Sequence, residues 1–414
     1  MQHNILERVV FDQLANFKAK DPGVPRDVDF DKAIKSKQIQ IVTGIRRCGK
    51  STLLKQLSEK LDSFYYLNFD DERLLKFSVE DFDSLLILWK KLYKSKTIIL
   101  DEIQNVKNWE RFIRRIYDED YKIILTGSNA KLLNGNLSTH LTGRHIKLEL
   151  YPFSFSEYLR FKNFDSDKWK TTDRLAKLLR LTDEYVENGG FPEYVIFGDV
   201  DYLKRIFEDI LYKDLIVRFK IREIKSFREL ANYLFTNFTS EISYNSLQRA
   251  LNFKSVVSVK NYIGHLQESY LLHELYKYDY SLKKQIVYNK KIYSVDNGLR
   301  NQVSFRFSED SGKLLENTVF LQLKRSGKEV YYYKNKRECD FLIKQKTKIV
   351  EAIQVTDVLS AANRERELNG LIAAMESFNL KKGLIITRNQ DEKFRSQGKE
   401  IRVLSIYKWL LSKE

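Results

Sequence analysis

The chain has 414 residues, 43% of them hydrophobic, so it can bury more than one core, and about two to four domains are expected. Lys and Arg number 72 against 56 Asp and Glu; the formal charge of +16 and pI near 9.4 favour polyanions as partners, nucleic acid first, although the basic residues are scattered rather than blocked. Two cysteines, Cys48 and Cys339, exclude a disulfide framework or a zinc site, no apolar stretch reaches the roughly eighteen residues of a membrane span, and the start shows no secretory leader, so a soluble cytoplasmic protein with no membrane partner is expected.

In chain order, an amphipathic helix is predicted first, with Ile5, Val9, Leu14 and Phe17 on one face. Pro22 and Pro25 separate it from an apolar strand over residues 39–43. Residues 44–51 then read Gly-Ile-Arg-Arg-Cys-Gly-Lys-Ser, the full G-x-x-x-x-G-K-[ST] pattern, and a helical run begins at Thr52. The glycines let the backbone turn tightly, so the segment Gly44, Ile45, Arg46, Arg47, Cys48, Gly49, Lys50, Ser51 and Thr52 can aim N–H groups and a helix N-terminus at a phosphate chain. ATP is the expected ligand, with Lys50 on its β- and γ-phosphates and the Ser51 hydroxyl on Mg²⁺.

A phosphate loop lacks a carboxylate for the metal and a group to orient water, and both follow. Residues 97–100 form an apolar run of the kind a buried parallel strand shows, ending in Asp101 and Glu102. Asp101 is expected to hold Mg²⁺, and Glu102 to orient or deprotonate the attacking water. A third apolar run, residues 122–127, leads into Ser128 and Asn129 and is similar to the sensor strand of ATPases, which puts those two residues near the γ-phosphate. Alternation of strands and helices to about residue 150 predicts a parallel sheet wrapped by helices. Pro152 and the turn around Gly189-Gly190-Phe191-Pro192 punctuate a mainly helical stretch after it.

Further on, Ser243 is predicted to cap a short helix carrying Leu247, Ala250 and Leu251, and Ser255 a second whose buried face is Val259, Tyr262, Ile263, Leu266 and Tyr270. With two strands expected at 271–278 and 284–288, the unit reads as a winged helix whose outward Ser258, Lys260, Asn261 and His265 would meet double-stranded DNA. Only Lys260 of these four is cationic, which is thin for a groove reader. From residue 305 a helix, three strands, a helix and a further strand have the element order of restriction-endonuclease-like domains. Such nucleases gather a helix acid, a strand acid and a Glu-x-Lys around Mg²⁺. Glu316 and Asp340 fit the first two, but where Glu-x-Lys belongs the strand offers Gln354-Val355-Thr356 in one register and Glu351-Ala352-Ile353 in the other, which argues for a degenerate site without nuclease activity. The expected architecture is therefore α/β and multidomain: a P-loop NTPase core with a parallel sheet (1–165), a helical connector (166–225), a winged helix (226–304) and a restriction-endonuclease-like domain (305–414).

Thr43 to Leu54, Leu100-Asp101-Glu102-Ile103-Gln104, Leu125-Thr126-Gly127-Ser128-Asn129, Leu141-Thr142-Gly143-Arg144, Tyr151-Pro152-Phe153-Ser154-Phe155 and Gly189-Gly190-Phe191-Pro192-Glu193 carry a resemblance. From about residue 20 to its end, the chain resembles prokaryotic AAA-type ATPases with a C-terminal domain of unassigned function. The resemblance implies ATP binding, a winged helix and a nuclease-like domain, and makes Arg144 a candidate arginine finger or sensor, acting in its own subunit or a neighbour's. The function expected is Mg²⁺-dependent ATP hydrolysis that moves the later modules, on DNA. A nucleotide-gated DNA- or protein-binding regulator with slow hydrolysis, and an ATP-controlled nuclease, are the alternatives; a protein partner or homo-oligomer fits any of them.

Overall fold

The structure is a computed structural model that describes residues 3–127, 141, 143–304 and 310–412. The chain divides into two compact units, Met1–Tyr151 and Pro152–Glu414, and the expected boundaries at 225 and 304 fall inside the second.

In the first unit, strands β1 (Ile39–Gly44), β2 (Tyr65–Asn68), β3 (Thr97–Asp101), β4 (Lys122–Gly127) and β5 (His145–Leu150) form one sheet in the order β2-β3-β4-β1-β5. Every pairing is parallel. The apolar runs Ile39–Gly44 and Thr97–Asp101 are almost wholly buried, which is why they read as continuous rather than alternating. Parallel strands share one carboxyl edge, so Gly44, Asp101 and Gly127 come to the same side of the sheet, with β4 between β1 and β3. Helices Asp81–Leu92 and Trp109–Asp118 supply the core, where Tyr65 stacks on Trp89 at 5.1 Å and Phe82 on Phe112 at 4.0 Å. The first helix, His3–Ala19, turns a slightly different face inward than its periodicity predicted: Leu6, Val9, Val10 and Phe17 are buried, Leu14 is half-buried and Ile5 is exposed.

The second unit begins with helices Phe155–Phe161, Thr172–Asn188, Pro192–Phe197 and Val200–Asp209, continued by a π-helix over Ile210–Val217. Helices Tyr244–Ala250 and Val256–Glu268 form the predicted helix-turn-helix, capped by Ser243 and Ser255, with Val259, Ile263, Leu266 and Tyr270 inward as expected but Ala250 exposed. It packs on a small antiparallel sheet, β6 (Glu241–Ile242), β8 (Lys290–Ser294) and β7 (Leu272–Tyr276). The strand expected at 284–288 is instead part of a helix, Leu282–Val287, and the true strand follows it. Its sequence, Lys-Lys-Ile-Tyr-Ser, is buried at all five positions, and two buried lysines do not read as strand core. The C-terminal sheet is mixed, in the order β13-β14-β12-β11-β10-β9, with β9 (Glu329–Lys334), β10 (Glu338–Gln345), β11 (Lys348–Val355), β12 (Lys382–Thr387), β13 (Glu392–Ser396) and β14 (Lys399–Ser405). The hairpin β13–β14 extends the predicted order, and helices Ser311–Arg325 and Arg364–Ser377 complete it. No described helix is long and apolar enough to cross a membrane.

The Gly-Gly-Phe-Pro segment proves to be a packing joint. A Cβ on Gly189 would lie 2.2 Å from the Asp296 carboxylate, one on Gly190 2.4 Å from the Phe153 carbonyl, and one on Gly298 2.0 Å from the Asn188 carbonyl. The Gly190 and Leu299 amides donate to Asp296 at 2.7 and 2.9 Å, which keeps a fully buried carboxyl in place although burial pushes it up to about 6. Gly190→Ala is expected to cost about 1–3 kcal/mol through overpacking, read as a lowered midpoint in thermal or urea unfolding, whereas Gly264→Ala, with open space around it, should be near neutral.

Candidate functional site

The loop between β1 and helix Lys50–Ser58 is shaped by positions that side chains cannot occupy cheaply. Gly44 has φ 149° and its absent Cβ would meet the Leu150 carbonyl at 2.1 Å, so β5 can run directly beside the loop. Gly49 caps the helix at φ 97°, and Arg47 accepts the left-handed region at φ 66°, local strain of the kind concentrated at ligand clamps. Lys50 is buried and its Nζ donates to the carbonyls of Gly44 at 3.2 Å and Ile45 at 3.1 Å, bracing the turn from within. Cys48 is buried, and burial raises its thiol pKa, which disfavours the reactive thiolate.

At the end of β3, Asp101 is fully buried and lies beside this loop. Burial, and then the charge of Glu102, raise its pKa, while Thr126, Ser51 and Lys50 oppose the shift. Thr126 on β4 donates its hydroxyl to Asp101 Oδ1 and accepts the Glu102 amide at 3.0 Å, so one side chain positions both acids. Asp101 Oδ2 is buried without a well-formed hydrogen bond, and the hydroxyls of Ser51 and Tyr66 lie close to the carboxyl. An uncommitted carboxylate oxygen beside a serine hydroxyl suits a hard cation such as Mg²⁺. Glu102 takes a left-handed φ of 53° and is held by the Gln104 side-chain amide.

Several contributors were not legible beforehand. Arg26 donates to the Cys48 carbonyl at 2.8 Å and the Tyr151 carbonyl at 2.6 Å, tying the phosphate loop to the end of β5. Gln56 accepts the Arg26 amide at 3.1 Å and donates to the Pro22 and Val24 carbonyls at 2.6 and 2.7 Å. The only local signal was the pair Pro22 and Pro25, which mark this strap without revealing what it holds. Arg46 is half-buried and Arg47 exposed, at the rim of the loop, with Ser51 and Thr52 half-buried at the helix start.

Other expected positions lie elsewhere. Arg144 precedes β5; its carbonyl accepts the Ile39 amide at 2.8 Å, and its guanidinium pairs with Asp118 at 2.8 Å beside the Tyr117 ring. Ile39 and Gly44 are opposite ends of β1, about 17 Å apart at strand rise, so Arg144 does not join the phosphate loop of its own chain. Ser128 and Asn129 lie outside the described residues. In the helix-turn-helix, Lys260 and Asn261 are exposed, but Ser258 is bonded within the Ser255 cap and His265 stacks on Phe219 at 3.8 Å, so the outward set is smaller than periodicity indicated. Glu316 and Asp340 do converge, around the ammonium of Lys291, whereas Gln354 donates its amide to Glu367 at 2.7 Å.

Residues 36–159 match a family described as an AAA domain; residues 179–310 and 311–409 match two domains of unknown function, DUF8612 and DUF4143. The chain is 36% identical to the uncharacterized protein MJ1544 of Methanocaldococcus jannaschii, over 99% of this chain and 95% of that protein. It is 29% identical to an uncharacterized protein of Haemophilus influenzae, over 93% and 95%. Among solved structures, a Walker-type ATPase of Pyrococcus abyssi aligns at 15% identity with a TM-score of 0.42, over 66% of this chain and 93% of that one.

The buried Asp101 carries a pH signature. Because its folded pKa lies above the unfolded one, the folded state holds the extra proton between the two values, and stability falls as pH rises through that window. In metal- and nucleotide-free protein, Asp101→Asn should therefore gain thermal stability relative to the parent as pH rises above the ordinary carboxylate range. A melting-temperature difference independent of pH would contradict this assignment.

Proposed function

From the premise that the chain belongs to the family of AAA-domain P-loop proteins with a C-terminal domain of unknown function, we propose that it is a Mg²⁺-dependent ATPase whose nucleotide state governs the unit beyond Pro152, with double-stranded DNA as its target. The observation that carries the reading is the convergence of Lys50, Ser51, Asp101 and Glu102 at the carboxyl edge of one parallel sheet, with Asp101 Oδ2 left uncommitted.

Each residue then has a role set by its position. Loop amides and the start of helix Lys50–Ser58 bind the phosphate chain, and Lys50 neutralises charge on its terminal oxygens. Ser51 and Asp101 hold Mg²⁺, which when bound draws negative charge off the γ-phosphate. Glu102, fixed through its own amide by Thr126, orients the attacking water. Ser128 and Asn129 complete the sensing of the γ-phosphate in this reading. DNA is favoured by the +16 charge and by Lys260 and Asn261, exposed on a helix that we read as the recognition helix of a winged helix.

Arg144 stabilises the transferring phosphoryl group of a neighbouring copy, since its own loop is at the far end of β1. The same placement favours a second reading, a nucleotide-gated regulator with slow hydrolysis, for any state in which copies are apart. Cleavage of DNA by the C-terminal domain is not part of the proposal, because an internal ammonium fills its acid pair.

Glu102→Gln should lower steady-state ATP turnover by about a hundred- to ten-thousandfold while ATP binding persists, and Lys50→Ala should weaken binding itself; unchanged nucleotide affinity in Lys50→Ala would sink the reading. Double-stranded DNA should stimulate the parent, with an effect that drops steeply between low and moderate salt. Arg144→Ala and Lys50→Ala proteins, each inactive alone, should regain partial turnover when mixed, because mixed neighbours pair an intact loop with an intact arginine; no recovery on mixing would remove Arg144 from the site.

A further inference from the structure

Arg26 belongs to the strap before β1, and only 6% of it is exposed. Its Nη1 donates to the Cys48 carbonyl at 2.8 Å and its Nη2 to the Tyr151 carbonyl at 2.6 Å, so one planar guanidinium spans the loop after β1 and the end of β5. Its own amide donates to Gln56 at 3.1 Å, and Gln56 in turn donates to the Pro22 and Val24 carbonyls at 2.6 and 2.7 Å. The strap also packs closely at two glycines: a Cβ on Gly49 would lie 3.2 Å from Arg26 Nη1, and one on Gly23 3.3 Å from the Thr52 methyl. Gln56 and Thr52 both belong to helix Lys50–Ser58, so the guanidinium is fixed from its own backbone outward.

The Cys48 carbonyl is half of the peptide that joins Cys48 to Gly49, and in a trans peptide the C=O and N–H point in opposite directions. Holding that oxygen on Arg26 therefore aims the Gly49 amide away from the strap. A charged donor on the oxygen also polarises the peptide, which makes its N–H a stronger donor in turn. We propose that Arg26 is a positioning residue for phosphate binding: it fixes and polarises the Cys48–Gly49 peptide so that the Gly49 amide is presented to the phosphate chain, with the end of β5 as its anchor. This rests on the ATP-binding reading, and it adds to that site a side chain from outside the contiguous loop motif. Arg26 touches no phosphate in this role and acts through the backbone. An amide that holds the phosphate chain equally before and during the reaction contributes uniform binding, so its loss raises KM and leaves kcat nearly untouched.

The test uses the full chain and a reporter that the sequence supplies. Cys48 is the only cysteine followed by glycine, since Cys339 precedes Asp340, so protein labelled with ¹³C at cysteine carbonyls and ¹⁵N at glycine gives one carbonyl–amide NMR correlation, that of the Cys48–Gly49 peptide. Mg²⁺-ADP should move this signal in the parent. In Arg26→Met its nucleotide-free position should shift, and the Kd for ADP should rise at least about tenfold, the scale of one charge-assisted hydrogen bond. KM for ATP should rise with it while kcat changes by less than about threefold, and Arg26→Lys, which retains a charged donor, should recover part of the loss. If Arg26→Met does not fold, Arg26→Lys compared with the parent should show a displaced signal and a higher Kd. The proposal alone is overturned if the parent binds ADP and a folded variant binds it equally well, or if the nucleotide-free signal is unmoved by the substitution. A parent that binds neither ADP nor ATP overturns the ATP reading and the role of Arg26 with it.

Discussion

A carboxylate taken out of water must be given partners, and both units of this protein are organised around that requirement. In the first, Asp101 is buried at the end of β3 and is left with one oxygen uncommitted, while Thr126 steadies the other. In the second, Asp296 is closed by backbone amides, and Glu316, Glu338 and Asp340 by the ammonium of Lys291. The two solutions differ in how the carboxyl is closed: Asp101 keeps a buried oxygen without a well-formed hydrogen bond, whereas Asp296 and the acid cluster are closed by amide and ammonium donors.

Backbone geometry makes the first arrangement possible. Parallel pairing brings the ends of β1, β3 and β4 to one edge, and the glycine at position 44 lets the end of β5 run close against the loop. Arg26 and Gln56 then tie the segment after the first helix to the loop and its helix. Left-handed backbone at Arg47 and Glu102 is stored strain in the loop after β1 and directly after β3. In the second unit the hairpin bearing Lys291 sits between the helix-turn-helix and the C-terminal sheet, so the same strand completes one module and neutralises the next.

Much of the site was readable because its chemistry is local. The loop after β1 and the two acids at the end of β3 lie in short contiguous segments whose spacing has a direct mechanical meaning. Thr126 lies within the run Leu125–Asn129, yet its task of bridging Asp101 and Glu102 depends on β4 lying between β1 and β3, which no local pattern states. Arg144 shows the reverse: its motif leaves open whether it serves its own subunit or a neighbour's, and strand direction sets it at the end of β1 away from its own loop. His265 likewise had the right helical phase for an outward residue and is covered by Phe219 from outside its helix pair.

The sequence by itself determined the parallel core, the turn between β1 and helix Lys50–Ser58, the acids that close β3, and the pair of short capped helices, because apolar periodicity, caps and turn residues act within a few neighbouring positions. Tertiary structure alone decided that Lys290 and Lys291 form a buried strand, that Gly189, Gly190 and Gly298 are contact points for Asp296 and its surroundings, and that Glu316, Glu338 and Asp340 are neutralised by Lys291 from a different sheet. Those outcomes rest on charge compensation between residues far apart in the chain. A buried lysine looks like a surface lysine until the carboxylates that neutralise it are in place.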